Sequence, residues 1–191
     1  ISLALSLVLI LTFYIKRESE IDSFHDKKDR IYQVVHDNEC SFSPPFGQYI
    51  LDNTSGIESY TRIFNISAVV SCNANLLQSE KCMFVDSTFF TIFSFPLIEH
   101  SNTDVLNTNN GVILTESFAK SLFGNENLLG HKVLLNNRVS YIITGVAKDF
   151  DERTHFANPD IILPFTSLTN FFGENYLKQF DMQFFLSGLY V

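Results

Sequence analysis

The sequence has no tryptophan and only three cysteines among its 191 residues. Cys40, Cys72 and Cys82 show no C-x-x-C spacing, so a cysteine-based zinc or redox motif is excluded. Their odd number leaves room for one disulfide in an oxidising compartment, but three separate small apolar side chains are the simpler interpretation. Twenty phenylalanines predict an aromatic-rich core, and because Phe packs anywhere in a core they indicate no ligand.

Basic residues are few and scattered. The chain has 13 Lys and Arg against 21 Asp and Glu, a formal net charge of −8, and no basic cluster larger than a pair. Binding to nucleic acid requires a basic face that displaces counterions from phosphates. The composition therefore excludes a nucleic-acid-binding role.

Motifs for catalysis and metal binding are also missing. The five histidines, at positions 25, 36, 100, 131 and 155, form no H-x-x-x-H or H-E-x-x-H pattern, and no G-x-S-x-G elbow is present. The acidic stretch Asp149, Asp151 and Glu152 lies between Lys148 and Arg153. Such a stretch is typical of a solvated loop end, with a weak cation site as the alternative. The sequence predicts no catalytic, cofactor-binding or metal-binding residue, no cofactor and no enzymatic activity.

One segment, residues 124–132, looks at first like a phosphate-binding loop of the form G-x-x-x-x-G-K-[ST]. A true loop of this kind follows a strand and leads into a helix whose N-terminus faces the phosphates. Here the spacing from Gly124 to Gly130 is one residue too long, and His131 stands where the lysine should be. A helix is predicted before the segment and a strand after it. We therefore expect no nucleotide to bind there.

A long hydrophobic run opens the sequence. Residues 1–15 carry no charge, and Lys16, Arg17 and Glu18 follow directly. A helix of that length spans about 22 Å of a hydrocarbon core near 30 Å thick. Because the run is short of a full span and begins with Ile rather than Met, we interpret it as the end of a transmembrane helix. A signal peptide and a buried helix are the alternatives, although no A-x-A cleavage site follows and the run has no polar face.

The rest of the chain contains predicted strands and helices that would pack as helix on sheet, and we expect an α+β fold. Residues 18–29 are expected to continue the first helix into water as a stalk. Asn136 and Asn137 tolerate positive φ and predict a hairpin turn. Residues 71–80 are expected to form a loop or a hairpin end, and residues 101–110 a loop with at most one helical turn. Strands are predicted at 30–36, 57–70, 81–85, 112–114, 133–135, 139–146, 161–163 and 182–191, and helices at 44–53, 87–93, 115–123 and 166–172.

Five stretches of the sequence carry residue patterns that also occur in a known protein family. The most specific is V-I-L-T-E-S-x-A-x-x-L-F-G at 112–124, which continues as N-x-L-G-H-K at 127–132. The others are D-x-F-H with D-R-I-Y-Q-V at 22–34, V-D-S-x-F-F-x-I-F-S-F-P-L at 85–97, Y-x-I-T-G-V at 141–146 and D-I-x-x-P at 160–164. In order and spacing they resemble MacB/FtsX-type ABC transporter permeases over nearly the whole chain. One departure is Leu128-Leu129, where the family often has Pro before the second glycine.

The resemblance implies a transmembrane helix end and stalk at 1–26, followed by a two-lobed extracytoplasmic domain. A porter-like lobe of strand-helix-strand units would comprise 27–78 and resume at 175–191, and a smaller mixed α/β lobe would be inserted at 79–174. The protein would lie in a bacterial inner membrane, with this domain on the periplasmic side. Such permeases have three further membrane helices, so we expect the sequence to continue beyond Val191.

The same resemblance implies partners and a function. The permease would form a homodimer in membrane lipid, associate with a separate cytoplasmic ABC ATPase subunit, and meet a periplasmic or outer-membrane partner. Its non-enzymatic role would be to pass ATP-driven motion across the membrane for export or other extracytoplasmic work. The alternative is a membrane-anchored sensor domain that binds a peptide or antibiotic and signals to a partner kinase.

Overall fold

A computed structural model describes residues 2–37, 39–72, 75–100, 105–124, 128–180 and 186–191. In these ranges, helices α1 to α5 span Ser2–Ser19, Phe46–Asn53, Phe89–Ile92, Glu116–Phe123 and Thr169–Phe172. Strands β1 to β8 span Thr61–Cys72, Asn75–Val85, Leu97–His100, Gly111–Thr115, Lys132–Leu135, Val139–Ala147, Ile161–Pro164 and Gly188–Tyr190. Short 3-10 turns lie at Lys28–Arg30, Phe165–Leu168 and Tyr176–Lys178. Most of the strand pairs in these ranges are antiparallel, which agrees with the predicted α+β class.

The eight strands form one sheet that closes on itself. β1 and β2 make a long antiparallel hairpin, β2 pairs in parallel with β7, and β7 pairs antiparallel with β4. β4 is parallel to β6, β6 is antiparallel to β5, and β5 returns to β1 at Val70 and Ser71. β8 pairs with the start of β1, and β3 pairs with the end of β6. The sheet therefore brings residues from both ends of the chain together.

The central strands are covered on both faces. Alternate residues of a strand point to opposite faces, and in β7 Ile161 and Leu163 pack in one apolar cluster whereas Ile162 packs in the other. The larger cluster also contains Phe118 of α4, and the smaller contains Phe89 of α3. All residues of β4 and β7 are buried. This double burial explains why both strands read as continuous apolar runs.

A buried ion pair joins the start of β1 to the end of β2. The Arg62 guanidinium donates to both carboxylate oxygens of Asp86, with Nε–Oδ2 at 2.9 Å and Nη2–Oδ1 at 2.6 Å. The backbone N–H of Arg62 donates to the same carboxylate at 2.8 Å. Nη1 donates to the Pro44 carbonyl at 2.7 Å, and the guanidinium lies 4.0 Å from the Phe165 ring centre. One arginine thus ties together four segments that are distant in sequence.

Several predicted elements are confirmed. Helices α2 and α4 lie within the predicted ranges 44–53 and 115–123. Asn136 and Asn137 have φ of 51° and 53° between β5 and β6, as the hairpin prediction requires. The expected helix at 166–172 is divided between a 3-10 turn and α5. Residues 101–104, within the predicted loop, and residues 182–185, within the predicted last strand, lie outside the described residues.

Two strand predictions are wrong in extent. β2 begins at Asn75 rather than at 81, because residues 75–79 pair with β1 and this pairing overrides the low strand propensity of Asn and Ser. Residues 30–36 do not form a regular strand. Instead, Gln33 makes an isolated bridge with Tyr190, and Tyr32 exchanges two 2.9 Å backbone hydrogen bonds with Val191. The segment lies along β8, where it meets the end of the chain.

Helix α1 ends at Ser19 rather than continuing through residue 29 as the stalk prediction required. All of its residues are exposed. Asp22 has a φ of 58°, a left-handed conformation that a right-handed helix cannot contain. Within the described residues no helix is both long enough and apolar enough to cross a membrane. The predicted boundary between residues 78 and 79 falls inside β2, and the lobe limits stay a prediction.

Candidate functional site

A cluster of polar side chains lies where helix α1 joins the sheet. It comprises Asp22, His25, Thr154, His155 and Tyr190, which we call the junction cluster. Asp22 occupies the turn that follows α1, and its backbone N–H donates to the Arg153 carbonyl at 2.7 Å. Asp tolerates the left-handed conformation better than most residues, because its short side chain bonds locally. The turn therefore places one carboxylate against the loop that follows β6.

The Asp22 carboxylate holds this loop by three hydrogen bonds. Its Oδ1 accepts from the Thr154 hydroxyl at 2.7 Å and from the His155 backbone N–H at 3.3 Å. Its Oδ2 lies 2.5 Å from Nδ1 of His155. Burial opposes ionisation of Asp22, but the hydrogen bonds from Thr154 and His155 outweigh it and lower the pKa of the carboxyl. Asp22 is thus an ionised acceptor at neutral pH.

His155 extends the connection to the last strand. Because Nδ1 faces the ionised Asp22 carboxylate, it carries the proton in the neutral ring and Nε2 is left as an acceptor. The Tyr190 hydroxyl of β8 lies 2.7 Å from Nε2 and donates to it. Burial raises the pKa of the Tyr190 phenol, so this donor keeps its proton. The helix turn, the loop and β8 are joined through one imidazole.

His25 lies beneath this network and is only 3% exposed. Its Nδ1 accepts from the Ser94 backbone N–H at 3.1 Å, and the Ser94 hydroxyl accepts from the Asp26 backbone N–H at 2.9 Å. Its Nε2 lies 3.6 Å from Oδ1 of Asp22, too far for a hydrogen bond. Burial lowers the pKa of the imidazole. His25 is therefore a neutral acceptor at neutral pH, with the ring centres of Phe24, Phe93 and Phe95 within 4.0, 5.1 and 5.0 Å.

A cavity opens beside the cluster. Its volume is about 330 Å³, and its lining combines junction residues with a basic, an amide and two apolar side chains: Asp22, His25, Lys28, Ile31, Gln33, Phe93, His155 and Tyr190. In the described part of the chain, no group of three or more His, Cys, Asp or Glu side chains could hold a metal ion. The arrangement is suited to fixing one segment against another.

The histidines and the glycine-containing segment lie at different places in the fold. Of the five histidines, His25 and His155 meet at Asp22, whereas His131 packs against Phe123 and His36 lies near Asp37. In the glycine-containing segment, Gly124 ends α4 with φ 67° and Gly130 leads into β5 with φ 85°. A helix precedes and a strand follows, opposite to a phosphate-binding loop; residues 125–127 lie outside the described ranges.

The acidic stretch 149–152 makes structural contacts. Asp149 accepts from the backbone N–H and hydroxyl of Ser117 at 3.2 and 2.8 Å, at the first turn of α4. Asp151 binds the Arg153 guanidinium, which lowers the pKa of that carboxyl to about 2. Glu152 lies 3.5 Å from Arg17 of α1 across an exposed surface. The solvated-loop interpretation describes these contacts better than a cation site does.

The junction cluster was missed as a unit by sequence reasoning. Asp22 and His25 stand in the D-x-F-H stretch, so a signal for that half was present. Thr154 and His155 are 132 and 133 positions away from Asp22, in a loop whose residues show no motif. The two halves meet because the folded sheet, in which β8 pairs with β1 and bridges Gln33, brings the start of the chain and the loop after β6 together.

The junction lies on a fold that known proteins share. A family model for the MacB-like periplasmic core domain matches residues 1–187. This chain belongs to that family. The resemblance drawn from the five sequence stretches is confirmed. As a MacB-like periplasmic domain, it is of the kind found on the extracytoplasmic side of membrane-anchored ABC-type permeases, and its fold is not itself catalytic.

Solved structures carry the same fold at low identity. A permease-protein domain from Porphyromonas gingivalis matches with a TM-score of 0.72 and 19% identity, over 87% of this chain and 76% of that one. The periplasmic region of MacB from Actinobacillus actinomycetemcomitans matches with a TM-score of 0.58 and 19% identity, over 84% of this chain and 71% of that one. The extracellular domain of the ABC-type transporter YknZ from Gram-positive bacteria matches with a TM-score of 0.60 and 17% identity, over 84% of this chain and 80% of that one. No curated protein matches the chain.

Proposed function

We propose that this MacB-like domain passes ATP-driven motion from the membrane to the extracytoplasmic side of an ABC transporter permease. ATP would be hydrolysed by a separate cytoplasmic subunit, and the domain would do mechanical work for export or a related extracytoplasmic task. Family membership supports the general role. The junction cluster is the observation that carries the mechanical part, because it binds helix α1 to the sheet at a defined point.

Helix α1 would be the end of the first transmembrane helix. Its apolar side chains are exposed, with Leu3 at 84%, Phe13 at 73% and Ile15 at 65%. Such a surface is unfavourable in water and suits a hydrocarbon environment. Residues 2–15 span about 21 Å as a helix. Tyr14 and Lys16 then lie at the end of the run, where aromatic and basic side chains favour a membrane interface.

Motion of α1 would reach the domain by two routes from Asp22. The first is the loop 151–156, which receives the backbone and side-chain hydrogen bonds of Asp22. The second runs through His155 to Tyr190 in β8, which pairs with Thr61 at the start of β1. Because β1 also pairs with β2 and β5, a displacement of β8 acts on the whole sheet.

The proposed assembly follows the family. The permease would form a homodimer in lipid, with the cytoplasmic ATPase on one side and a periplasmic or outer-membrane partner on the other. Within the domain, a porter-like lobe at 27–78 and 175–191 would contribute Tyr190, and an inserted lobe at 79–174 would include the loop that Asp22 binds. The junction would then connect the two lobes at the point where the helix enters.

The test is a flexible insertion that separates the helix from the junction without removing either. A Gly-Ser linker between Ser19 and Glu20 leaves the hydrogen bonds of Asp22 in place. The full-length permease is reconstituted with its ATPase subunit, and hydrogen exchange of residues 151–156 is compared with and without ATP. We expect an ATP-dependent change in the wild type that the insertion abolishes, while the ATPase still co-purifies.

The matched control carries the same linker between Ser55 and Gly56, in an exposed turn outside the junction. It should keep the ATP-dependent change. If the Ser19 insertion also keeps it, the helix does not transmit motion through this junction and the mechanical proposal is wrong. A response to an added peptide or antibiotic with no response to ATP would favour the sensor alternative.

A further inference from the structure

His25 occupies an unusual position for a titratable group. Its side chain is 1% exposed, and its one hydrogen bond within the described residues comes from an obligatory donor, the Ser94 backbone N–H. A backbone N–H cannot reverse its role, so Nδ1 must stay unprotonated for the bond to exist. Protonation of the ring would place two donors face to face at this contact. Acid therefore has a specific structural consequence here.

Charged and titratable groups face His25 from several elements around it. From its own turn come Asp22, at 3.6 Å, and Asp26; from the following 3-10 turn comes Lys28. The loop after β6 contributes His155, and β8 contributes Tyr190. The segment 93–95 contributes phenylalanine rings and Ser94, none of which ionises. Asp22 and Asp26 favour an imidazolium, whereas burial and His155 oppose it.

The positions of the neighbouring groups decide which of the opposing effects on protonation of His25 prevails. The Asp22 carboxylate that would attract an imidazolium already accepts from Thr154 and His155. An imidazolium at His25 would have to compete with His155 for it and would lose the Ser94 bond as well. Burial outweighs the attraction and lowers the pKa of His25 from its ordinary 6.5. The adjoining cavity of about 330 Å³ gives water, and therefore protons, a path to the ring.

We propose that His25 is an acid-sensitive latch: its protonation breaks the contact with Ser94 and loosens helix α1 from the domain. The opening is a property of the junction alone. Its consequence, weaker transmission of motion at low pH, rests on the proposed function.

The sign of the pH effect follows from linkage. A group whose pKa is lower in the closed junction than in the open one binds more protons when the junction opens. Closure is therefore fully favoured above pH 6.5 and is lost progressively as the pH falls below that value. Between the two pKa values, each pH unit changes the ratio of open to closed junctions by up to about tenfold.

The test is hydrogen exchange of the two amides that report the contact, those of Asp26 and Ser94, in the intact membrane-reconstituted protein. Exchange is measured from pH 7.5 to pH 5.0 and corrected for its intrinsic pH dependence. We expect protection of both amides to fall by up to about tenfold per pH unit below pH 6.5, while the hairpin 133–146 keeps its protection. No loss of protection in the wild type would overturn the proposal.

His25→Asn is the decisive variant, because its Oδ1 can accept the Ser94 N–H at the place of Nδ1 but cannot titrate. It should stay protected at pH 5.0. His36→Asn, at an exposed histidine, should behave as the wild type does. If His155→Asn abolished the pH dependence and His25→Asn kept it, the titrating group would be His155, and the latch proposal would be refuted.

A direct titration covers the case in which His25→Asn disturbs the junction. The ring signals of ¹³C-labelled histidine are followed by NMR in the wild type. His25 must titrate below its ordinary pKa of 6.5, at the pH where the loss of protection levels off. Titration of His25 at or above pH 6.5 would contradict the proposal. Because neither readout uses ATP or a transported substrate, the latch and the proposed function can fail independently.

Discussion

Removal of the Asp86 carboxylate is the most exacting test of how the domain is held together. Asp86→Ala leaves Arg62 inside the fold, with its side chain 11% exposed, after deletion of a partner that is 14% exposed. The guanidinium keeps the Pro44 carbonyl and the faces of the Phe165 and Tyr60 rings. A mostly desolvated charge without a counterion is among the costly defects in a protein interior.

The magnitude can be worked from the contacts. Three hydrogen bonds from Arg62 end on Asp86, and bonds to charged groups contribute about 1.5–3 kcal/mol each. Their sum is an upper limit, because water reaches the partly exposed guanidinium once the carboxylate is gone. Breaking a buried pair from one side costs about 3–5 kcal/mol. We expect a loss of about 3 kcal/mol, which for a domain of this size lowers Tm by about 6–12 °C.

The assay is thermal and urea unfolding followed by far-ultraviolet circular dichroism, because the chain has no tryptophan for fluorescence. Asp52→Ala is the matched control: Asp52 is an exposed carboxylate that accepts one bond from Gln48 on the same helix, and it should cost less than about 0.5 kcal/mol. The double variant Arg62→Met with Asp86→Leu removes both charges and should be more stable than Asp86→Ala alone.

Two outcomes would refute this reasoning. A loss below about 1 kcal/mol for Asp86→Ala would mean that the pair behaves as an exposed one does. A double variant no more stable than the single one would mean that the uncompensated charge is not the source of the cost.

Two further predictions concern a close contact and a titration. In Gly47→Ala the new Cβ would lie 2.6 Å from the Tyr60 ring, so we expect a loss of about 1–3 kcal/mol in urea unfolding that Tyr60→Leu partly restores; unchanged stability would show that the helix α2 contact is loose. The pKa of Asp22 is lowered from 3.8. The stability that the ionised Asp22 carboxylate contributes is therefore present above that pH and is lost as the pH falls below it. Asp22→Asn should therefore flatten the decline in stability below about pH 4, measured by the urea midpoint, whereas a decline as steep as in the wild type would place the responsible carboxyl elsewhere.

Local signals in the sequence predicted local structure well. The Asn136–Asn137 pair predicted a turn because its side chains tolerate the positive φ that both residues adopt. Helices α2 and α4 followed from the spacing of their apolar residues. The apolar runs at 112–114 and 161–163 indicated strands, and both are buried on two faces. In each case the determining interactions lie within a few residues.

The sequence predicted local structure incorrectly where contacts between residues distant in sequence determine it. Residues 75–79 combine two leucines with polar residues of low strand propensity, yet they form a strand because β1 offers a continuous partner. The apolar pattern that suggested a continuous stalk gave no sign of the bend at Asp22. That bend is held by hydrogen bonds to Arg153, Thr154 and His155, whose positions depend on the folded sheet.

The sequence by itself determined the class of this protein: an exposed apolar helix, an acidic mixed domain without catalytic motifs, and a family pattern spread over nearly the whole chain. The tertiary structure alone decided how the helix is attached. One carboxylate lies against two histidines, and one of these bonds to a tyrosine; the residues lie up to 168 positions apart in sequence, from Asp22 to Tyr190. Hydrogen bonds of about 3 Å demand a geometry that sequence spacing does not encode, and closure of the sheet is what supplies it.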